Sequence, residues 1–211
     1  MHLPDMQLLL IYGRLAWGIV LAALLISLIP RRIALSRPIV GALTIAMLAL
    51  QALPGAASPT YSLALALQWP SGLLTGLCLA KLSTYKLGSP TPMIPPIMAL
   101  LLALAGIVIY LDVFGLTALG LYYRGFGPHA APAVGLLLAA LAALAIARAK
   151  YRPQASAVLL AMMAFAILRL PTGNIWDALL DPLLWAWALV TLAGHGWQRI
   201  MDKRGALPQA A

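Results

Sequence analysis

The placement of its charges constrains this chain more than any other feature. Long apolar runs fill most of it, and the basic residues gather between them. Arg31, Arg32 and Arg37 form one group, Lys81 and Lys86 a second, Arg148, Lys150 and Arg152 a third, and Arg199, Lys203 and Arg204 a fourth. Of the 14 lysines and arginines, only Arg14, Arg124 and Arg169 stand apart. Every second connection is therefore basic and the others nearly lack Lys and Arg. A multi-pass membrane protein fixes its orientation in this way, with the basic connections in the cytoplasm. With 63% hydrophobic and 9% charged residues, the chain does not have the composition of a soluble domain, in which about a quarter of residues are charged.

The expected fold is all-α: a polytopic integral membrane bundle of seven transmembrane helices over residues 1–211, N-terminus outside and C-terminus inside. The spans are placed at about 7–29, 38–53, 61–80, 97–119, 130–147, 155–170 and 182–200. Most start or stop at prolines, as at Pro30, Pro38 and Pro182. In the third, Trp69-Pro70-Ser71-Gly72 predicts a kink, because a proline removes one backbone hydrogen bond. Asn174 and Asp177 resemble a capping pair, and Asp181-Pro182 resembles a helix start. A short interfacial helix over 174–180 followed by the last span accommodates both. The first apolar run is preceded by Asp5 rather than by a positive cluster and is followed by a basic stop. It is expected to be a retained span rather than a cleaved signal. Gly72 and Gly76 on the third span, and Gly135, Ala139, Ala143 and Ala147 on the fifth, form stripes of small residues that let helices approach closely in lipid. Alanine-rich composition alone also explains the second stripe.

On this map every charge away from the cytoplasmic side falls at one outer level: Asp5, Arg14, Asp112, Arg124, Arg169, Asp177 and Asp181. Arg14 lies about two turns inside the first span, roughly 10 Å along its axis. An arginine at that depth is costly unless it snorkels, faces water or has an acidic partner. His129, Asn174, Gln51, Gln68, Tyr12, Tyr110, Tyr122 and Tyr123 map to the same side. The candidate ligand-binding cluster is Arg14, Asp112, Arg124, His129, Arg169, Asn174, Asp177 and Asp181, in which arginines would hold a phosphate or carboxylate. The competing reading pairs Arg14, Arg124 and Arg169 with Asp112, Asp177 and Asp181 as clamps on the helix ends, Arg169 with Asp177 being closest in sequence.

Catalytic motifs are incomplete throughout. Asp+Glu number 5 and all are aspartates, which removes zinc-protease and glutamate acid–base chemistry. There is no GxSxG elbow, the last span has no lysine for a Schiff base, and the three histidines are scattered. Cys78 is the only cysteine and reads as a small buried hydrophobe. No cofactor or metal is called for, and the basic residues show no aromatic-interleaved stripe for nucleic acid. Two functions stay open. One is a non-enzymatic component, subunit or scaffold of an inner-membrane assembly, with membrane lipids and other membrane proteins as partners. The other is a small carrier or binder of an anionic amphiphile at the outer cluster, for which a transporter would need a broken helix or polar groups near the midplane.

Overall fold

A computed structural model of the chain describes residues 3–30, 32–33, 35–85 and 93–205, without the side chains of 203–205. Arg31, Lys86 and the side chains of Lys203 and Arg204, all singled out above, lie outside the described residues. The architecture is all-α, with no strand among the described residues. The order is α1 Met6–Leu28, α2 Arg37–Gln51, a 3₁₀ turn Gly55–Ala57, α3 Pro59–Leu67, α4 Gly72–Ser83, α5 Pro96–Val113, α6 Leu121–Arg124, α7 Ala130–Ala147, α8 Arg152–Leu168, α9 Ile175–Leu179 and α10 Pro182–Gly205.

Local chemistry sets most of these boundaries. Asp5 caps α1, its carboxylate accepting from the amides of Gln7 and Leu8 at 2.9 and 3.1 Å. A proline occupies the first positions of α2, α3, α5 and α8, where its missing N–H costs nothing and its fixed φ suits the helix. Asn174 caps α9 and Asp181 caps α10, through bonds to the amides of Trp176 at 3.0 Å and Leu184 at 2.8 Å.

Among the described residues three helices, α1, α5 and α7, rather than the seven expected, are long and apolar enough to cross a membrane. Three others are apolar but shorter: α2 with 15 residues, α4 with 12 and α8 with 17. The expected fourth span to residue 119 ends instead at Val113. The Asp112 carboxylate accepts from the amides of Leu119, Gly120 and Tyr122 at 3.1, 2.9 and 2.9 Å, so the following residues fold back over the helix end rather than prolonging it.

The expected third span is corrected more deeply. It breaks rather than kinks: α3 stops at Leu67 and Gln68 takes φ 61° and ψ −146°. The groups freed by the break find partners elsewhere. Trp17 Nε1 donates to Gln68 O at 3.1 Å, Tyr12 OH to Pro70 O at 2.7 Å, and Asp181 Oδ2 accepts from Ser71 N at 2.8 Å. A proline alone predicts a kink; these tertiary bonds stabilise a full break.

The core lies where α4 meets α8. A Cβ on Gly76 would sit 2.9 Å from the Cα of Ala157, and one on Gly72 3.1 Å from the Cα of Ala161. Two small-residue stripes thus face each other in antiparallel register, and dispersion between nearly bare backbones replaces side-chain packing. Buried Trp17, Leu77, Ile175 and Leu184 surround the seam. The α7 stripe is only half used: Gly135 and Ala139 are half-buried, Ala143 and Ala147 exposed. Residues four apart advance about 40° beyond a full turn, so such a stripe drifts off a straight contact face. The face that packs runs instead through Ala131, Val134, Leu138 and Ala142.

Candidate functional site

The polar residues expected at the outer level divide into groups with different work. The carboxylates are taken up by backbone and hydroxyl donors, not by arginines. Asp112 holds the loop amides described above. Asp177 accepts from Tyr122 OH at 3.0 Å and from Thr172 Oγ1. Burial raises its pKa above the ordinary value of 3.8, and these two hydroxyls pull in the opposite direction. Burial and the Asp177 charge together push the Tyr122 phenol up to about 12.

Asn174 is fully buried and joins the same knot. Its Nδ2 donates to Tyr122 O at 3.0 Å, Trp176 Nε1 donates to Leu121 O at 2.8 Å, and Ile175 N donates to Gly125 O at 3.2 Å. Position 125 must be glycine here, since a Cβ would fall 1.9 Å from Asn174 Oδ1. These bonds pin α6 and α9 to each other and leave Asn174 no free group for a ligand.

Asp181 is buried, with 6% of its surface exposed. One oxygen caps its own helix at Leu184 N and the other takes Ser71 N, the residue capping α4, each at 2.8 Å. Two helix N-termini converge on one carboxylate, where their partial positive charges offset its desolvation. The N-terminus of a half-helix is where a membrane carrier often receives an anionic substrate. Here that place is filled from within the chain.

The three outer arginines and the outer histidine are all exposed. Arg169 lies over the Phe165 ring at 5.2 Å, a cation–π contact, and does not pair with Asp177. Arg124 and His129 do not line the cleft that Arg14 lines. The expected clamps are therefore corrected: among the described residues, no arginine figures in the environment of Asp112, Asp177 or Asp181. Buried carboxylates are cheaper to satisfy with several short, fixed donors than with long side chains that must surrender rotamer freedom.

Arg14 is different. It lines a cleft of about 500 Å³ between α1 and α3, together with Leu10, Ser58, Thr60, Tyr61, Gln68, Trp69 and Thr172. Both ends of α3 reach this cleft, through Thr60 and Tyr61 at one end and Gln68 at the other. Trp69 packs on the bare backbone of Gly13. Behind the cleft, fully buried Gln51 accepts from Ser58 Oγ through its carbonyl at 2.9 Å and from Thr60 Oγ1 through Oε1 at 2.7 Å, while its Nε2 has no partner. The site that emerges is one guanidinium, the Tyr61 hydroxyl and the Gln68 amide around an open cavity with no carboxylate in its lining; the hydroxyls of Ser58, Thr60 and Thr172 each give their one proton to an acceptor within the chain. The site can hold a phosphate or carboxylate oxygen by charge-assisted bonding.

Of the eight expected site residues, only Arg14 lines this cleft. Gln68 was expected on the same side, but Ser58, Thr60, Tyr61 and Thr172 were missed. In sequence they read as turn residues; the one pointer was Gln51 at the end of an apolar run, a buried amide that needs hydroxyl partners. Comparison of the chain with protein-family models, with curated proteins and with solved structures finds no match.

Proposed function

We propose that the chain is a multi-pass protein of a bacterial-type inner membrane, and that the Arg14 cleft binds the anionic head of an amphiphile. The crossings are α1, α2, α4, α5, α7, α8 and α10, with the N-terminus outside. Contact directions support this order. Pro70 and Ser71 lie level with Tyr12–Trp17, and Lys81 Nζ reaches Ser27 Oγ, so α4 runs along α1. Gly72 meets Ala161 and Gly76 meets Ala157, so α8 runs against α4.

The 12 residues of α4 cover about 18 Å, short of a hydrocarbon core of about 30 Å. The break and the cleft beside it then sit at or within the membrane edge rather than in water. An amphiphile is the ligand class with its charge at that level and its tail in the bilayer.

The observation that carries the proposal is Arg14 itself: a cation inside the first span, without a carboxylate partner among the described residues, opening on a largely apolar cavity that Tyr61 and Gln68 also line. Such a residue is a functional hypothesis by default in lipid, and its fork suits a phosphate. The test uses the full chain in mild detergent and native mass spectrometry, with dodecyl phosphate as probe and dodecanol as its uncharged control. The wild type is expected to retain dodecyl phosphate preferentially, and Arg14→Gln to lose that preference by about tenfold or more, the scale of a charged hydrogen bond. Equal retention by both proteins would overturn the binding role. If it were joined by stoichiometric co-purification of a second membrane protein, that result would favour a component of an assembly.

A further inference from the structure

A second groove opens at the opposite end of α8. It encloses about 210 Å³ between the start of α5, the end of α7 and the start of α8, with an almost wholly apolar wall that includes Met98, Leu138, Leu141 and Ala145. Tyr151 and Gln154 close it at the α7–α8 turn. Gln154 is fixed there by donating from Nε2 to Met93 O at 2.9 Å. That turn is also the densest cationic segment among the described residues: Arg148, Lys150 and Arg152 are all exposed, within five consecutive positions.

The turn is held in an unusual form. Ala149 and Tyr151 have φ of 55° and 51°, a left-handed conformation unfavourable for residues with a Cβ. Tyr151 lines the groove, and the three exposed cations share its turn, each within three residues of it. Basic loops orient a membrane protein wherever they sit; orientation alone requires no apolar groove beneath them. Charge and cavity together define a ligand with an anionic head and a hydrocarbon tail.

We infer that this groove binds one anionic diacyl phospholipid of the host bilayer, an acyl chain lying along α7 between Leu138 and Ala145 and the phosphate at Arg148, Lys150 and Arg152. The occupant is a membrane lipid because the groove continues an exposed apolar face, with Leu137, Leu141 and Leu144 all accessible. The eight residues from Leu138 to Ala145 span roughly 10 Å, enough for the proximal half of an acyl chain. The site is independent of the Arg14 cleft. Thr172, which lines that cleft, follows the far end of the 17-residue α8, about 25 Å away.

The test titrates the delipidated full chain in mild detergent with phosphatidylglycerol or phosphatidylcholine, counting bound lipid by native mass spectrometry. The wild type is expected to hold one phosphatidylglycerol about tenfold more tightly than phosphatidylcholine, the scale set by several basic residues at an anionic headgroup. Two variants report separately. Arg148→Gln with Lys150→Gln and Arg152→Gln removes the charge. Ala145→Phe leaves every cation in place and fills the groove from a half-buried position. Made in the Arg14→Gln protein, so that the first cleft adds no preference of its own, both should abolish the remaining preference; Ala145→Phe alone should leave dodecyl phosphate retention at Arg14 intact. Equal affinity of the wild type for the two lipids would overturn the inference. So would an undiminished preference in either variant; in Ala145→Phe it would mean that attraction to the loop is diffuse and no groove is occupied.

Discussion

Replacing Asp181 with alanine should be among the most damaging single substitutions in the chain, although the residue holds no ligand. Its two oxygens each accept one buried amide at 2.8 Å, from Ser71 and from Leu184. Alanine leaves both donors without a partner where water does not reach. A buried donor left unsatisfied costs roughly 1–3 kcal/mol, so the pair amounts to about 2–6 kcal/mol. Capping losses of about 1 kcal/mol for a single helix are already contained in that figure. Asp181→Asn keeps one acceptor oxygen but turns an NH₂ toward the other amide, and should lose about half as much. The assay is unfolding in mild detergent by added dodecyl sulfate, followed by tryptophan fluorescence. Arg14→Gln, Arg124→Gln and Arg169→Gln, run in parallel, should each stay within about 0.5 kcal/mol, as exposed substitutions do. An Asp181→Ala protein as stable as the wild type would refute the view that this carboxylate joins α4 to α10. A strong Arg169–Asp177 coupling in a double-mutant cycle would restore the clamp.

Gly76→Leu should destabilise by about 1–3 kcal/mol or prevent folding, the cost of overpacking, because even a Cβ there meets Ala157 at 2.9 Å; unchanged melting would dissolve the α4–α8 seam. The raised Asp177 pKa fixes the sign of a pH effect. The neutral form is the favoured one in the folded protein, so the stability linked to this group is complete below the ordinary value of 3.8 and is lost as pH rises through the raised folded value. Melting in detergent between pH 4 and 7 should therefore fall in the wild type relative to Asp177→Asn; a rise would contradict the burial argument. A reporter that fluoresces only in the cytoplasm, fused after Ala211, should be bright, since the basic connections set that side. Darkness at normal expression would undo the seven-crossing order.

Sequence alone determined what depends on neighbours within a few residues. Prolines and capping side chains set helix starts at Arg37, Pro96, Arg152, Ile175 and Pro182, because a cap acts on amides two or three positions away. The small-residue spacing of Gly72 and Gly76 marked a face for close approach, and the basic connections marked one side. Tertiary structure decided what depends on which ends converge. Ser71 and Asp181 are separated by 110 positions; their meeting turns an apparent ligand carboxylate into an internal cap and, with the bonds from Tyr12 and Trp17, a proline kink into a break. The same holds for Arg14, whose cost in lipid is legible in sequence but whose cavity is not. Its walls come from Ser58–Gln68 and Thr172, polar residues indistinguishable from ordinary turns until α3 and the α8–α9 connection fold against α1. Local signals are strong because their loop-closure cost is small; the partner of a buried polar group is a property of the whole packed bundle.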